Sequence, residues 1–383
     1  MTLRTAVVGG GAVSDIHLSG VAKNPRTELV AICDVDEVTA REKALEYGIL
    51  PYTDLDDLLA SEDLDWLHLC TPVATHLPLA ETIIEAGVPI LIEKPVTDTA
   101  AEAEQLRALA RQHGVPVAVV RNHRFTSAMR EATAAVEAGD LGEVRAVEVT
   151  YTGNTWPDEV NRGSWTFDLP GGEFEEGIPH PIYLALGAGG FPVDEASVQA
   201  VTSRHGAYEQ GFSYDGLSIQ YPTAEETLCG VTVLAGAVPQ RTVDIHGTDA
   251  SLVVDQVSGT VVRLNRDYKA SPLARLRNDL DRAAGRLRGT VENVRDAVTA
   301  RRHDDWDHQR LRNPHYYQFD REAARLLAGE DPLVPLDDGV WTLRLMEAVR
   351  EAAGRERTDQ AADADVRTAE GTAEATIPEP PDN

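Results

Sequence analysis

The sequence predicts an α/β chain in two parts. An N-terminal doubly wound parallel sheet comes first, then an α+β domain with a mostly antiparallel, open-faced sheet. Three observations carry this. Residues 1–123 alternate short apolar runs with helical patterns, the signature of parallel strands joined by helices. A glycine-rich turn separates the first run from the first helical pattern. From residue 144 to 255 strand candidates follow one another without helices between them, as in an antiparallel sheet.

The strand-like runs of the first part are TAVVG (5–9), ELVAICD (28–34), DWLHLC (65–70), VPILIE (88–93) and VPVAVV (115–120). Helical patterns such as TAREKALEYG and THLPLAETIIEAG lie between them. Thr99 and Glu102 form a capping box that opens another helix. A helix near 126–138 ends at AGDLGEV, and VRAVEVTYTG, SVQAVTSRH, LSIQYP, TLCGVTVLA, RTVDIHG and SLVVD then read as strands. Residues 266–302 are expected to insert a basic amphipathic helix, interrupted near Gly285 or Gly289. Leu273, Leu276, Leu280, Ala283, Leu287, Val291, Val294 and Val298 recur there at three-to-four spacing, one apolar stripe. The segment holds ten basic and five acidic residues. It suits packing on its own domain or a second subunit, or contact with an anionic membrane surface or acidic partner. Helices at 315–328 and 338–354 close the second domain, 124–357. From Thr358 the chain is acidic and rich in Ala, Thr and Pro, which predicts a disordered tail at 358–383.

The formal charge is −28. It argues against nucleic-acid binding, because phosphates are repelled. Lys is nearly absent: Lys23, Lys43, Lys94 and Lys269 stand against 31 Arg. So acidic a surface repels itself in dilute buffer and is screened in molar salt, where the Debye length is ~3 Å. A cytoplasmic protein of a salt-accumulating organism is expected. No apolar run of about 18 residues predicts a membrane span, and the N-terminus lacks a signal-peptide pattern. Cys33, Cys70 and Cys229 are too dispersed for a CxxC site and fit a reducing compartment. His303, His308 and His315 are loosely spaced, so no metal site is expected.

Gly9-Gly10-Gly11-Ala12-Val13-Ser14 follows the first strand and opens a helix. This is GxGxxG with Ser in the last place. The first glycine allows the tight turn, and the next lets backbone approach a pyrophosphate at a helix N-terminus. Asp34 ends the second strand at the distance expected of a ribose-binding acid. Its charge favours NAD over NADP. The N-terminal part therefore reads as a Rossmann domain.

The stretch CTPVATHLPLAETIIEAGVPILIEKPVT (70–97) resembles the glucose–fructose oxidoreductase, inositol dehydrogenase and rhizopine-catabolism family, Gfo/Idh/MocA. NHRF (122–125), AGDLGEVRAV, VDIHGTDASLVVD (243–255) and PLVPLDDGVWTLRLMEAVREAA (332–353) extend the resemblance over most of the chain. The resemblance implies that Lys94 of Glu93-Lys94-Pro95 faces the nicotinamide and the reacting hydroxyl. It implies a cis bond before Pro95. It matches GGEFEEGIPHPIY (171–183) to a motif ending D-x-x-x-H, with Glu176 in place of Asp, His180 as the histidine, and Tyr183 where another Asp is common. Val73 replaces a common Asn. Thr71, Pro72, His76 and Asn122 are matched to the cofactor side. Arg124, Trp156, Arg162 and Trp165 join Lys94, His180 and Tyr183 as candidates for the substrate side, although loop packing explains Trp156, Arg162 and Trp165 equally well.

The implied activity is an NAD-dependent oxidoreductase moving hydride to or from a hydroxyl carbon of a sugar, polyol, sugar acid or nucleotide sugar. His180 suits a general base, Glu176 would orient it or tune its charge, and Lys94 would hold the substrate oxygen or itself act as an acid or base. Two rivals remain: a redox-neutral, NAD-requiring glycoside hydrolase, and a non-catalytic cofactor-binding protein. The family resemblance also implies a homodimer or homotetramer.

Overall fold

The computed structural model describes residues 2–161, 164–265, 271–299 and 305–374. The first sheet is built from β1 (Leu3–Val8), β2 (Thr27–Cys33), β3 (Leu50–Tyr52), β4 (Trp66–Leu69), β5 (Ile90–Ile92) and β6 (Val117–Val119). Their order is β3-β2-β1-β4-β5-β6, every pair parallel. Helices cover both faces, so Ala6, Val7, Ile32, Leu67, Leu91 and Ile92 are all buried. Burial on two faces is why these strands read as unbroken apolar runs. The order reverses between β1 and β4, and ligands of such sheets bind at this switch point, beyond the carboxyl ends of the strands. The sequence missed β3, a three-residue edge strand with little apolar signal.

The second sheet contains β7 (Val144–Asn154), β8 (Gln199–Ser203), β9 (Gly216–Pro222), β10 (Leu228–Ala235), β11 (Gln240–Gly247), β12 (Ala250–Asp255) and β13 (Thr260–Asn265). Its order is β13-β12-β11-β7-β10-β9-β8. All pairs are antiparallel except β7 with β10. One face is covered by helices that include Ser127–Glu137 and Pro179–Gly189. Val147, Val149 and Tyr151 point into that layer, as do Val243 and Ile245, by the period of two.

The last helix, Leu336–Glu374, packs on helix Ala100–His113 of the first domain and on helix Pro179–Gly189 of the second. Its Asp338 is buried and receives Arg121 Nε at 2.5 Å and Arg124 Nη1 at 2.9 Å. Arg121 also donates to Thr342 Oγ1 at 3.1 Å. This pairing ties the domain junction to the last helix.

The helix that begins at Leu336 continues past Thr358 to Glu374, and the rest of the expected tail, 375–383, lies outside the described residues. One expectation is corrected: Gly285 and Gly289 do not interrupt the inserted helix, which is one element, Pro272–Thr299. They let it lie close to β13: a Cβ on Gly289 would sit 2.7 Å from Thr260 Cγ2. Among the described residues no helix is long and apolar enough to cross a membrane.

Candidate active site

The glycine turn joins β1 to helix Ser14–Lys23. Gly9 has φ +96°, and a Cβ there would lie 2.8 Å from the Cys70 carbonyl. Gly10 donates its N–H to Asp34 Oδ2 at 2.6 Å, and Asp36 N donates to Oδ1 at 2.8 Å. Asp34 thus fixes the turn while keeping lone pairs for ribose hydroxyls. A Cβ on Gly11 would meet nothing within 4 Å, which leaves the backbone open to a pyrophosphate beside exposed Ala12. The residues present fit a dinucleotide: an approachable turn, a helix N-terminus and an acid at the end of β2.

Beyond β4 and β5 the loops form a cavity of about 310 Å³. Val13, Thr71, Pro72, Glu93, Lys94 and Trp165 are among its lining residues. The Lys94–Pro95 bond is cis. Lys94 Nζ donates to Glu176 Oε1, with both side chains largely buried. Glu176 also lines a second cavity of about 290 Å³, with His123, Tyr151, His180 and Arg241. The lysine–carboxylate pair therefore stands where the cofactor cleft and the second cavity meet. The Glu176 carboxylate reaches across the domain junction to Lys94, a contact that the sequence did not show. Glu176 ends one short helix, Gly172–Glu176, and His180 begins the next, Pro179–Gly189.

Tyr183 is one partner that holds His180. Its hydroxyl donates to Asn122 Oδ1 at 3.1 Å and accepts from His123 N at 3.1 Å. His180 Nδ1 lies 2.7 Å from the same oxygen. With its proton committed to Asn122, the Tyr183 oxygen is an acceptor toward His180. A neutral His180 then meets the Tyr183 oxygen as a donor from Nδ1. Burial pushes the Tyr183 phenol well above its usual range, so it stays protonated. Tyr183 is fully buried and lies behind the histidine, which removes it from the substrate-contacting set. Asn122 sits in the same chain.

His123 stacks on His180 with ring centroids 4.2 Å apart. Burial lowers its pKa to about 4, with the Arg241 charge adding. Tyr151 Oη lies 3.2 Å from His123 Nδ1, and the Arg241 guanidinium carbon is 5.5 Å from the Tyr151 ring centroid. Arg241 is directly opposite Tyr151 in the β11–β7 pairing and shares the face of Val243 and Ile245. Neither residue stood out in the sequence. Strand alternation would have put both on the inner face, but their pairing is a matter of register.

Glu93 turns away from the cavity mouth. Its Oε1 meets His17 Nε2 at 2.9 Å, and Oε2 accepts Lys94 N at 3.0 Å. Burial alone would raise its carboxyl, but the His17 hydrogen bond and charge outweigh this and bring it to about 2. His17 Nδ1 continues to His68 Nδ1 at 2.9 Å. This buried chain holds the Lys94 backbone from below and had no sequence signal.

Other candidates move. His76 is buried, with Nδ1 3.0 Å from Pro95 O and Nε2 2.8 Å from Thr71 O. It braces two cavity loops instead of lining the cofactor cleft. Arg124 belongs to the Asp338 ion pair because the domain junction needs a countercharge there. Trp156 packs over Gly236, where a Cβ would lie 1.9 Å from its ring. Trp165 lines the cofactor-side cavity. Arg162 lies outside the described residues.

A glycine turn on β1, an acid ending β2 and a lysine–carboxylate–histidine group between two cavities define a two-domain dinucleotide-binding protein of the oxidoreductase type. The chain belongs to the Gfo/Idh/MocA oxidoreductase family. Residues 3–121 match the oxidoreductase family's NAD-binding Rossmann fold, and residues 129–253 match the GFO/IDH/MocA C-terminal domain. The uncharacterized oxidoreductase YdgJ of Escherichia coli (strain K12) is 30% identical over 66% of this chain and 70% of its own length. The dTDP-3,4-didehydro-2,6-dideoxy-alpha-D-glucose 3-reductase of Streptomyces violaceoruber is 32% identical over 48% of this chain. That match spans 54% of the reductase, about half its length. An oxidoreductase from Agrobacterium radiobacter, solved with NAD+, L-tartaric acid and magnesium, shares the fold at TM-score 0.70. It is 19% identical, over 92% of this chain and 97% of that one.

Proposed function

We propose that this chain is an NAD-dependent dehydrogenase that oxidises a secondary hydroxyl of a carbohydrate-like substrate, or reduces the matching carbonyl. The substrate class comprises sugars, polyols, sugar acids and nucleotide sugars. The observation that carries the reading is the Lys94–Glu176 pair standing between the cofactor cleft and the cavity that holds His180.

The glycine turn, Asp34, Val13, Thr71 and Pro72 would hold the dinucleotide. Bound NAD would supply the hydride acceptor for the C–H bond next to the hydroxyl. The chain's own groups handle the proton and the oxygen. His180 takes the hydroxyl proton, its ring held by Tyr183 and Asn122. Lys94 donates to the oxygen and stabilises its developing negative charge. Glu176 aims Lys94 through their hydrogen bond. Arg241 gives the cavity a cation suited to a carboxylate or phosphate on the substrate. Asp34 disfavours the 2′-phosphate of NADP by like charge.

The composition supports work in the cytoplasm of a salt-accumulating organism, and the family supports a homodimer or homotetramer. The test is NADH absorbance with purified protein, NAD and a panel of neutral and acidic sugars, polyols and nucleotide sugars in molar KCl. We expect one class to give NADH, and Lys94→Ala to lower kcat/KM by about 10²–10³-fold. No NADH from any class, with NAD still bound, would sink the reading.

A further inference from the structure

The inserted helix Pro272–Thr299 leaves an apolar row uncovered. Leu273, Leu276, Leu280, Leu287, Val291 and Val294 are between 57% and 78% exposed. The glycine face is spent on β13, with Gly289 against Thr260 and Asn293 donating to Ser258 O. At 100° per residue the apolar row lies roughly 170° around the helix from those glycines. It is therefore unpartnered within the chain as described.

The spacing of the row identifies its partner. Leu273, Leu280, Leu287 and Val294 are seven residues apart, and Leu276, Ala283, Thr290 and Ala297 follow each by three. This is a four-heptad seam with large residues at one core position and mostly small ones at the other. Its exposed large residues span an arc of only about 60°, narrower than the face a helix turns to a globular core. A membrane-surface helix has a wide apolar face, usually with aromatic anchors. This helix has no aromatic residue and carries four acids beside six arginines.

We propose that Pro272–Thr299 is a homotypic docking element that pairs with the same helix of a second copy of this chain. Charge and area both favour that occupant. Each chain carries −28, so two copies repel over most of their surfaces. The inserted helix has an excess of arginine, and its seam is flanked by charges of both signs in Arg277, Asp279 and Arg286. It is a place where two copies approach with little repulsion. The six exposed side chains offer roughly 700 Å² per copy, close to the ~800 Å² per partner of a standard interface. A two-fold arrangement brings each row onto its own symmetry mate. The inference stands independently of the catalytic reading.

The test is the mass of the full-length protein by light scattering in molar KCl, for the natural sequence, Leu280→Glu and Leu287→Glu. We expect the natural protein to be a dimer or a multiple of one. Each variant should halve the mass while keeping its circular dichroism spectrum and NAD binding. Should a variant unfold, hydrogen exchange on the natural protein replaces it: protection of 272–299 must rise with protein concentration. An unchanged mass in the folded variants, or protection that does not depend on concentration, overturns the proposal. A monomer that pellets with phosphatidylserine vesicles also overturns it, in favour of a membrane surface.

Discussion

The two cavities that meet at Glu176 are built in different ways. The cofactor side comes from turns at the carboxyl ends of consecutive parallel strands: Gly9–Val13 after β1, Asp34 after β2, Thr71 and Pro72 after β4, and Lys94 after β5. Each is a short sequence whose backbone does much of the work. The other side draws His123 from the domain junction, His180 from a helix start, and Tyr151 and Arg241 from paired strands. A cleft made of local turns binds what most members of a fold share. A cavity made of side chains from distant segments is free to vary.

The sharpest test of this division is its shared wall. Glu176→Gln removes the charge opposite Lys94 but keeps the shape. We expect kcat/KM to fall by about 10²-fold while the affinity for NAD, measured by calorimetry, changes less than tenfold. An equal loss of NAD affinity would mean that the carboxylate belongs to the cofactor side alone.

Tyr183→Phe probes the cavity side from behind. It removes the oxygen shared by His123 N, His180 Nδ1 and Asn122 Oδ1. We expect kcat to fall by about tenfold with little change in KM, because positioning of the base is lost and binding is not. Leaving buried groups unpaired should also cost about 1–3 kcal/mol in denaturant unfolding. A loss of stability with full activity would separate Tyr183 from the chemistry.

The smallest effect is on stability against pH. Burial lowers His123 and His315 from 6.5 to about 4, and His68 and His76 also move down. A histidine kept neutral by the fold takes its proton first in the unfolded chain. Stability is therefore full above pH 6.5 and falls as pH drops toward 4, by up to ~1.4 kcal/mol per unit for each such histidine. The carboxyls of Glu148, Asp244 and Glu322 are raised by burial and offset part of the loss at the acid end. Glu93, at about 2, weakens the fold only below its ordinary range. Urea unfolding between pH 7 and 4.5 checks this; a flat profile would mean that the histidines are hydrated.

The same contrast governs what was legible in the sequence. The Gly9–Gly11 turn and Asp34 were legible because a glycine turn and a strand-end acid act through backbone geometry written in consecutive residues, whereas Lys94 and His180 were singled out by their resemblance to family motifs. Arg124 and Trp156 misled because proximity to a motif is not direction: one side chain turned to Asp338 and the other to Gly236. The contact of Glu176 with Lys94 had no sequence signal, since the sequence cannot show a contact across a domain junction.

By itself the sequence determined most of the order of elements, the dinucleotide turn and the residues at strand ends, because periodicity and turn chemistry are local, and its motifs resembled those of the family. Only the tertiary structure decided that Lys94 pairs with Glu176, that the Tyr183 oxygen lies against His180 Nδ1, and that Arg241 lies against Tyr151. It alone turned the glycines of the inserted helix inward and its leucines out. These are relations between residues far apart in the chain, set by strand register, helix rotation and domain packing, and no local pattern encodes them.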